Sequence, residues 1–345
     1  MLGPTLPATS GAKLNSDSTV DIEIERSFEY QLKQGMTNWN NTEITEFLLM
    51  GLFVLPHLQY LLFSGFLLAY LTALCSNLTI LLVTFAEPLI YTPMYFFLSN
   101  LSLIDLALTS SILPKLLHIY LTGHRNITYV ACMTQVVLSV ICVVSEFCLL
   151  AAMAHDRVIA ICLPLRYTQI MKLGVCVKLA ITLWLLGVLE ATVFMCLLSQ
   201  FSFCRSNVIN HFFCHVKPLL QISCSATQSM ESAIAVSSAL FGFMPLLYII
   251  ITYIIIIATI LKIRSSESKR KAFSTCSSHL TVVILTFGLV LGMYLSPESS
   301  FAMLQDKVFS LLYTLCLPIF NPLIYSLRNK DIKQALQKLK ENIVR

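Results

Sequence analysis

Charge is scarce in this chain. Only 12% of its 345 residues are Asp, Glu, Lys or Arg, while 57% are hydrophobic. A mean hydropathy of +0.78 excludes an ordinary soluble globular domain. Enzyme signatures are missing too. There is no HExxH, GxSxG or Walker-type phosphate loop, and the histidines are scattered, so neither enzyme chemistry nor a cofactor is expected. Apolar–polar alternation of period two is absent, which argues against a β-barrel. Repeated halves and Gly/Pro-broken helix pairs, which a transporter or channel would carry, are not evident. Pro4, Pro7 and polar neighbours interrupt any apolar run at the start. No cleavable signal peptide is therefore expected, and the first spanning helix is expected to target the chain.

Long apolar runs are what the chain does have. A helix needs about 20 predominantly apolar residues to cross a bilayer. Runs of that length fall at roughly 58–84, 93–117, 132–155, 174–199, 232–262, 272–296 and 307–327. Basic residues set the expected orientation. With the amino terminus outside, the inner segments carry Arg157, Arg166, Lys172, Lys178, Lys262, Arg264, Lys269, Arg270, Lys271, Arg328, Lys330, Lys333, Lys338, Lys340 and Arg345. The outer ones carry Lys115, Arg125, Arg205, Lys217 and Lys307. This is the positive-inside asymmetry. The net charge of +5 is thereby assigned to membrane lipid and a cytosolic partner. The basic runs are too short and too near the bilayer for nucleic acid.

The third run ends in an acid–base pair, Asp156–Arg157, placed where headgroups and water make charge inexpensive. Its surroundings, Met153-Ala-His-Asp-Arg-Val-Ile-Ala-Ile-Cys-Leu-Pro-Leu-Arg-Tyr167, resemble the Met-Ala-Tyr-Asp-Arg-Tyr-Val-Ala-Ile-Cys-x-Pro-Leu-x-Tyr signature of odorant receptors, within the rhodopsin-like G-protein-coupled receptors. Three further stretches resemble the same family in order. They are Pro93-Met-Tyr-Phe-Phe-Leu-Ser-Asn-Leu-Ser-Leu-Ile-Asp105, Lys271-Ala-Phe-Ser-Thr-Cys-Ser-Ser-His279 and Asn321-Pro-Leu-Ile-Tyr-Ser-Leu-Arg-Asn329. The likeness spans about residues 36 to 340, in the style of the tetrapod-type group. His155, Val158, Ile159, Ser76 and Thr286 depart from the family pattern.

The resemblance implies an all-α membrane protein, a seven-transmembrane helix bundle with a short amphipathic eighth helix. Residues 1–57 are expected to be an extracellular amino terminus, with 1–35 a disordered extension rich in acidic residues. The bundle is expected over 58–327, and the eighth helix and cytoplasmic tail over 328–345. The sequons at Asn40 and Asn126 are expected to be glycosylated, whereas those at Asn77 and Asn100 lie inside helices.

Of twelve cysteines, Cys132, Cys204, Cys214 and Cys224 fall on the outer side, where disulfides persist. Four cysteines allow three pairings, and spacing does not choose among them. The family resemblance implies Cys132–Cys214 and Cys204–Cys224. His211 and His215 flank Cys214 and suggest zinc or copper. A disulfide-bonded Cys214 is no ligand, however, so packing histidines and no metal are expected.

Two intramembrane acids, Asp105 and Glu146, are costly in lipid. With Asn77 and Asn321 they are expected to form a polar centre that binds sodium or a proton. Pro322 frees a backbone carbonyl and creates a hinge near Tyr325. Ser139, Val143 and Phe147 share a helix face at i, i+4 spacing, with Val140 and Val144 beside them. The resemblance adds Ser237, Phe287, Leu291, Tyr294, Leu311 and Thr314 to a lining that suits a small volatile odorant. It also implies a plasma-membrane receptor that activates a heterotrimeric stimulatory (olfactory) G protein and raises cyclic AMP, through Asp156, Arg157, Tyr253 and Tyr325. The alternative is a related chemosensory receptor acting outside the olfactory epithelium.

Overall fold

The computed structural model describes residues 45–52, 58–86, 92–204, 206–294 and 300–328, with scattered positions between 332 and 341. The expected extension 1–35, Asn40 and the eighth helix as a unit lie outside the described residues.

Lipid offers the backbone no hydrogen-bond partners, so apolar runs of this length satisfy their peptide groups internally as helices. Seven described helices are long and apolar enough to cross a membrane. They are α1 (Gln59–Ala86), α2 (Pro93–Thr122), α3 (Tyr129–Cys162), α4 (Leu173–Leu198), α5 (Gln228–Lys262), α6 (Ser266–Tyr294) and α7 (300–328). Local chemistry fixes several ends. Pro93 occupies the first turn of α2, where its missing N–H costs nothing. Gly123 closes that helix in the left-handed region at φ 76°, its N–H donating to Ile119 O. Thr128 caps α3 by accepting from the Ala131 N–H at 3.3 Å. The helices overrun the apolar cores read from sequence; α3 continues to Cys162 and α6 starts at Ser266. A helix does not stop where hydrocarbon stops.

α2 and α3 form the interior. Their apolar windows are 61% and 56% buried, against 28% for α1 and 22% for α4, which turn more of their surface outward. α3 and α4 approach closely at Gly187, where a Cβ would sit 2.7 Å from the Ile141 carbonyl oxygen. Small residues permit such backbone contact in membranes. Trp184 Nε1 donates to Asn100 Oδ1 at 3.2 Å and ties α4 to α2. Two helices contain π-helical turns, Ser238–Phe243 in α5 and Leu312–Cys316 in α7.

One end of the bundle carries a small sheet that the sequence did not announce. β1 (Glu46–Leu49) lies between β2 (Asn126–Thr128) and β3 (Val208–Ile209). It runs antiparallel to β2 and parallel to β3. Strands of two to four residues give no periodic signal. Phe47 and Leu49 enter a cluster with Phe194, Leu198 and Phe203.

Candidate functional site

Four groups of side chains carry the chemistry. In the first, Asn321 Nδ2 donates to both carboxylate oxygens of Asp105, at 3.2 and 3.1 Å, joining α7 to α2. Asn77 hydrogen-bonds elsewhere. Its Nδ2 donates to Ala73 O at 2.9 Å and Pro318 O at 2.8 Å. Pro322 has no N–H to give the carbonyl four residues earlier. Asn77 of α1 supplies the missing donor, so the hinge expected from Pro322 is stitched to a neighbouring helix.

Glu146 forms the second group. It accepts from Tyr313 Oη at 2.6 Å and from Thr286 Oγ1 at 3.3 Å, linking α3, α7 and α6. Asp105 and Asn321, Asn77, and Glu146 are each hydrogen-bonded on their own terms. Tyr313 escaped the sequence reading altogether, and Thr286 stood there only as a departure from pattern. The Oδ1 atoms of Asn77 and Asn321 and the Tyr325 hydroxyl are buried without a hydrogen bond among the described residues.

The expected ligand-lining residues are only partly gathered. Phe147 stacks on Phe287 at 4.8 Å between ring centroids, beside Glu146. Val144 and Thr314 are buried, and Val143, Phe287 and Leu311 pack against the main core. Val140 packs instead against the cluster at the sheet end. The hydroxyls of Ser139 and Thr314 donate to carbonyls of their own helices, Gln135 O and Ser310 O, both at 2.8 Å. Ser237 is half-buried. Leu291, in contrast, is 56% exposed. The Tyr294 side chain lies outside the described residues. An open groove of about 460 Å³ lies elsewhere, lined by Leu71, Cys75, Ser76 and Thr79 of α1 and by Pro322 and Leu323 of α7. It shares no residue with the expected lining.

The third group sits at the end opposite the sheet. Arg157 is ion-paired with Asp156, whose other oxygen accepts from Tyr167 Oη at 2.7 Å. Burial first, then the adjacent carboxylate, holds the Tyr167 pKa above the ordinary tyrosine value, so the phenol keeps the proton it donates. Tyr253 stands apart from this pair. Its ring stacks on His279, with Oη 2.8 Å from Nδ1 and 3.2 Å from Cys276 O. His279 Nε2 lies 3.1 Å from Leu150 O. A carbonyl only accepts, which assigns the proton to Nε2 and leaves Nδ1 to receive from Tyr253. His155 Nδ1 meets Tyr248 Oη at 2.5 Å, joining α3 to α5. Tyr167, Tyr248 and His279 had no role in the sequence reading, because nothing local marks a partner on another helix.

The fourth group is the loop between α4 and α5. Disulfides join Cys132 to Cys214 and Cys204 to Cys224. Gln135 braces the first: its Oε1 accepts from the Cys214 N–H at 3.0 Å while Nε2 donates to Ser111 O at 2.9 Å. The His211 and His215 rings are tilted by 44° with centroids 4.4 Å apart, among Phe212 and Phe213. Burial, then His215 and nearby lysines, holds the His211 pKa well below the usual histidine value. His215 is pushed down to about 3 by burial and Lys217. Asn126 is exposed on β2, its amide donating to Glu46 Oε2 at 3.0 Å.

Seven apolar helices around buried polar contacts define a multi-pass membrane protein of the seven-helix bundle class. A family model described as olfactory receptor matches residues 66–342. Human olfactory receptor 5B12 is 46% identical over 87% of this chain and 95% of its own length. Mouse olfactory receptor 5AR1 is 44% identical over 88% of this chain and 98% of its own. Human olfactory receptor 8D1 is 44% identical over 88% and 99%, respectively. The chain belongs to the olfactory receptor family, a family of receptors rather than of enzymes.

Proposed function

We propose that this chain is a plasma-membrane odorant receptor, not an enzyme, with its amino terminus and sheet end outside the cell. A small volatile molecule binds among α3, α5, α6 and α7, and the opposite end activates a stimulatory olfactory G protein to raise cyclic AMP. One observation carries the reading: Phe147 of α3 stacks on Phe287 of α6, and their chain neighbours Glu146 and Thr286 hydrogen-bond, with Tyr313 of α7 on the same carboxylate. A ligand touching that junction acts on three helices at once. It shifts the bundle by no more than its difference in affinity for the two states.

At the inner end, Arg157 is occupied by Asp156, and Asp156 by Tyr167. Release of this pair offers the G protein a guanidinium, which stays charged and donates directionally. Tyr253 and Tyr325 are the neighbouring groups that accept the rearranged contacts. The polar centre of Asp105, Asn321, Asn77 and Glu146 binds sodium or a proton in the resting state.

An odorant library screened on cells bearing the receptor and a cyclic AMP reporter tests the proposal. The expected result is a response to a subset of small, mostly apolar molecules, absent from cells without the receptor. A response to none, with the receptor present at the surface, refutes it.

A further inference from the structure

The loop between α4 and α5 contains a second cluster that odorant binding does not use. His211 is 2% exposed, and neither ring nitrogen makes a hydrogen bond of normal geometry among the described residues. His215 Nδ1 is likewise buried without a partner there. Leaving buried polar atoms unpaired costs about 1–3 kcal/mol each, so two such imidazoles side by side call for an explanation. The third member comes from α7. One donor atom each from His211, His215 and Asp306 all lie within 4.8 Å of one another.

We propose that His211, His215 and Asp306 form a binding site for a divalent transition-metal ion of the zinc class, which clamps the loop to the outer end of α7. Cys214, committed to its disulfide, is not needed. Two imidazoles and one carboxylate are a sufficient protein set, with the fourth position open to water. Zinc holds such donors at about 2.0–2.2 Å, hence roughly 3.4 Å from one another in a tetrahedron. Small side-chain rotations close the present set to that size.

Two lysines stand against the ion. Lys217 Nζ lies 3.9 Å from Asp306 Oδ2, but its side chain is 54% exposed and free to swing into solvent. Lys307 Nζ is directed to Asn210 Oδ1 at 2.8 Å. The ion therefore replaces a loose ion pair at Asp306 with a coordinate bond. Because the clamp spans the α4–α5 loop and α7, metal and odorant affinities are linked reciprocally if the two sites favour different states.

The test uses the full-length receptor purified in detergent with zinc chloride as the probe. Bound zinc is counted after gel filtration, and the unfolding temperature is followed as zinc rises. The wild type is expected to retain one more tightly bound zinc than Asp306→Asn or His215→Gln. Each substitution should weaken that site by at least tenfold and flatten the thermal response. Eight cysteines remain outside the two disulfides, so the difference from wild type is the decisive quantity, supported by X-ray absorption at the zinc edge. Nitrogen and oxygen neighbours with an imidazole pattern support the site. Equal zinc binding by all three proteins, no uptake by the wild type, or a sulfur-only shell overturns it. Should a variant misfold, the wild-type absorption spectrum alone decides.

Discussion

The two ends of the bundle are held together by different kinds of contact. At the sheet end, two disulfides, three short strands and a glutamine brace fasten the α4–α5 loop to α3 and to the segment before α1. At the opposite end, α3 meets its neighbours through single side-chain hydrogen bonds: Tyr167 to Asp156, His155 to Tyr248, His279 to Leu150. A covalent lattice keeps one geometry. Hydrogen bonds worth about 1 kcal/mol net exchange readily, and a few exchanged together move a helix end. Under the proposed function, the fixed end is the one ligand would enter and the labile end the one a partner would dock on.

The heaviest way to break this contrast is at the fixed end. Cys132→Ser or Cys214→Ser should remove about 2–4 kcal/mol of stability, abolish signalling and sharply reduce surface staining. A mass-spectrometric finding of free Cys132 thiol in folded receptor would contradict the tether. At the labile end, Arg157→Ala should eliminate the agonist-driven cyclic AMP response and leave surface staining nearly unchanged. Full-strength signalling by that variant would remove the assigned role.

A third test lies between the ends. Asn77→Ala strips the Pro318 carbonyl of its donor and should cost about 1–3 kcal/mol in thermal unfolding. Pro322→Ala restores an N–H to that carbonyl and should cost less in the Asn77→Ala background than in the wild type. Additive losses in the double-mutant cycle would mean the two residues are uncoupled. The smallest effect belongs to Tyr167→Phe. It removes one hydrogen bond from Asp156, worth about 1 kcal/mol, and should raise basal cyclic AMP several-fold. Unchanged basal signalling would show that Tyr167 only packs.

The seven spans were legible because hydrocarbon demands a run of apolar residues, and such a run is a local property of sequence. The pairings across the bundle were not. Asp105 and Asn321 were read as part of one intramembrane polar centre and do hydrogen-bond, but the partners of Glu146 are a tyrosine and a threonine that look unremarkable in their own segments. Asn77 was placed among the acids, yet its amide serves a carbonyl orphaned by a proline on another helix. The sheet was missed since strands of two to four residues are too short to show an alternating pattern above chance. Side-chain partners are decided by which helix faces meet, which one sequence does not encode locally.

The π-helical turn at Leu312–Cys316 bears on how α7 addresses two partners. Tyr313 and Asn321 both face inward, toward Glu146 and Asp105. In an unbroken α-helix, eight residues advance by roughly 800°, which leaves the two side chains about 80° apart around the axis. A π turn absorbs about one extra residue and brings them within roughly 20° of a common direction. The turn thus acts as a phase corrector in the helical winding. Deleting one residue inside it, between Tyr313 and Asn321, would leave seven residues of regular α-helix, about 700°, so Asn321 would keep its direction toward Asp105 without the π turn.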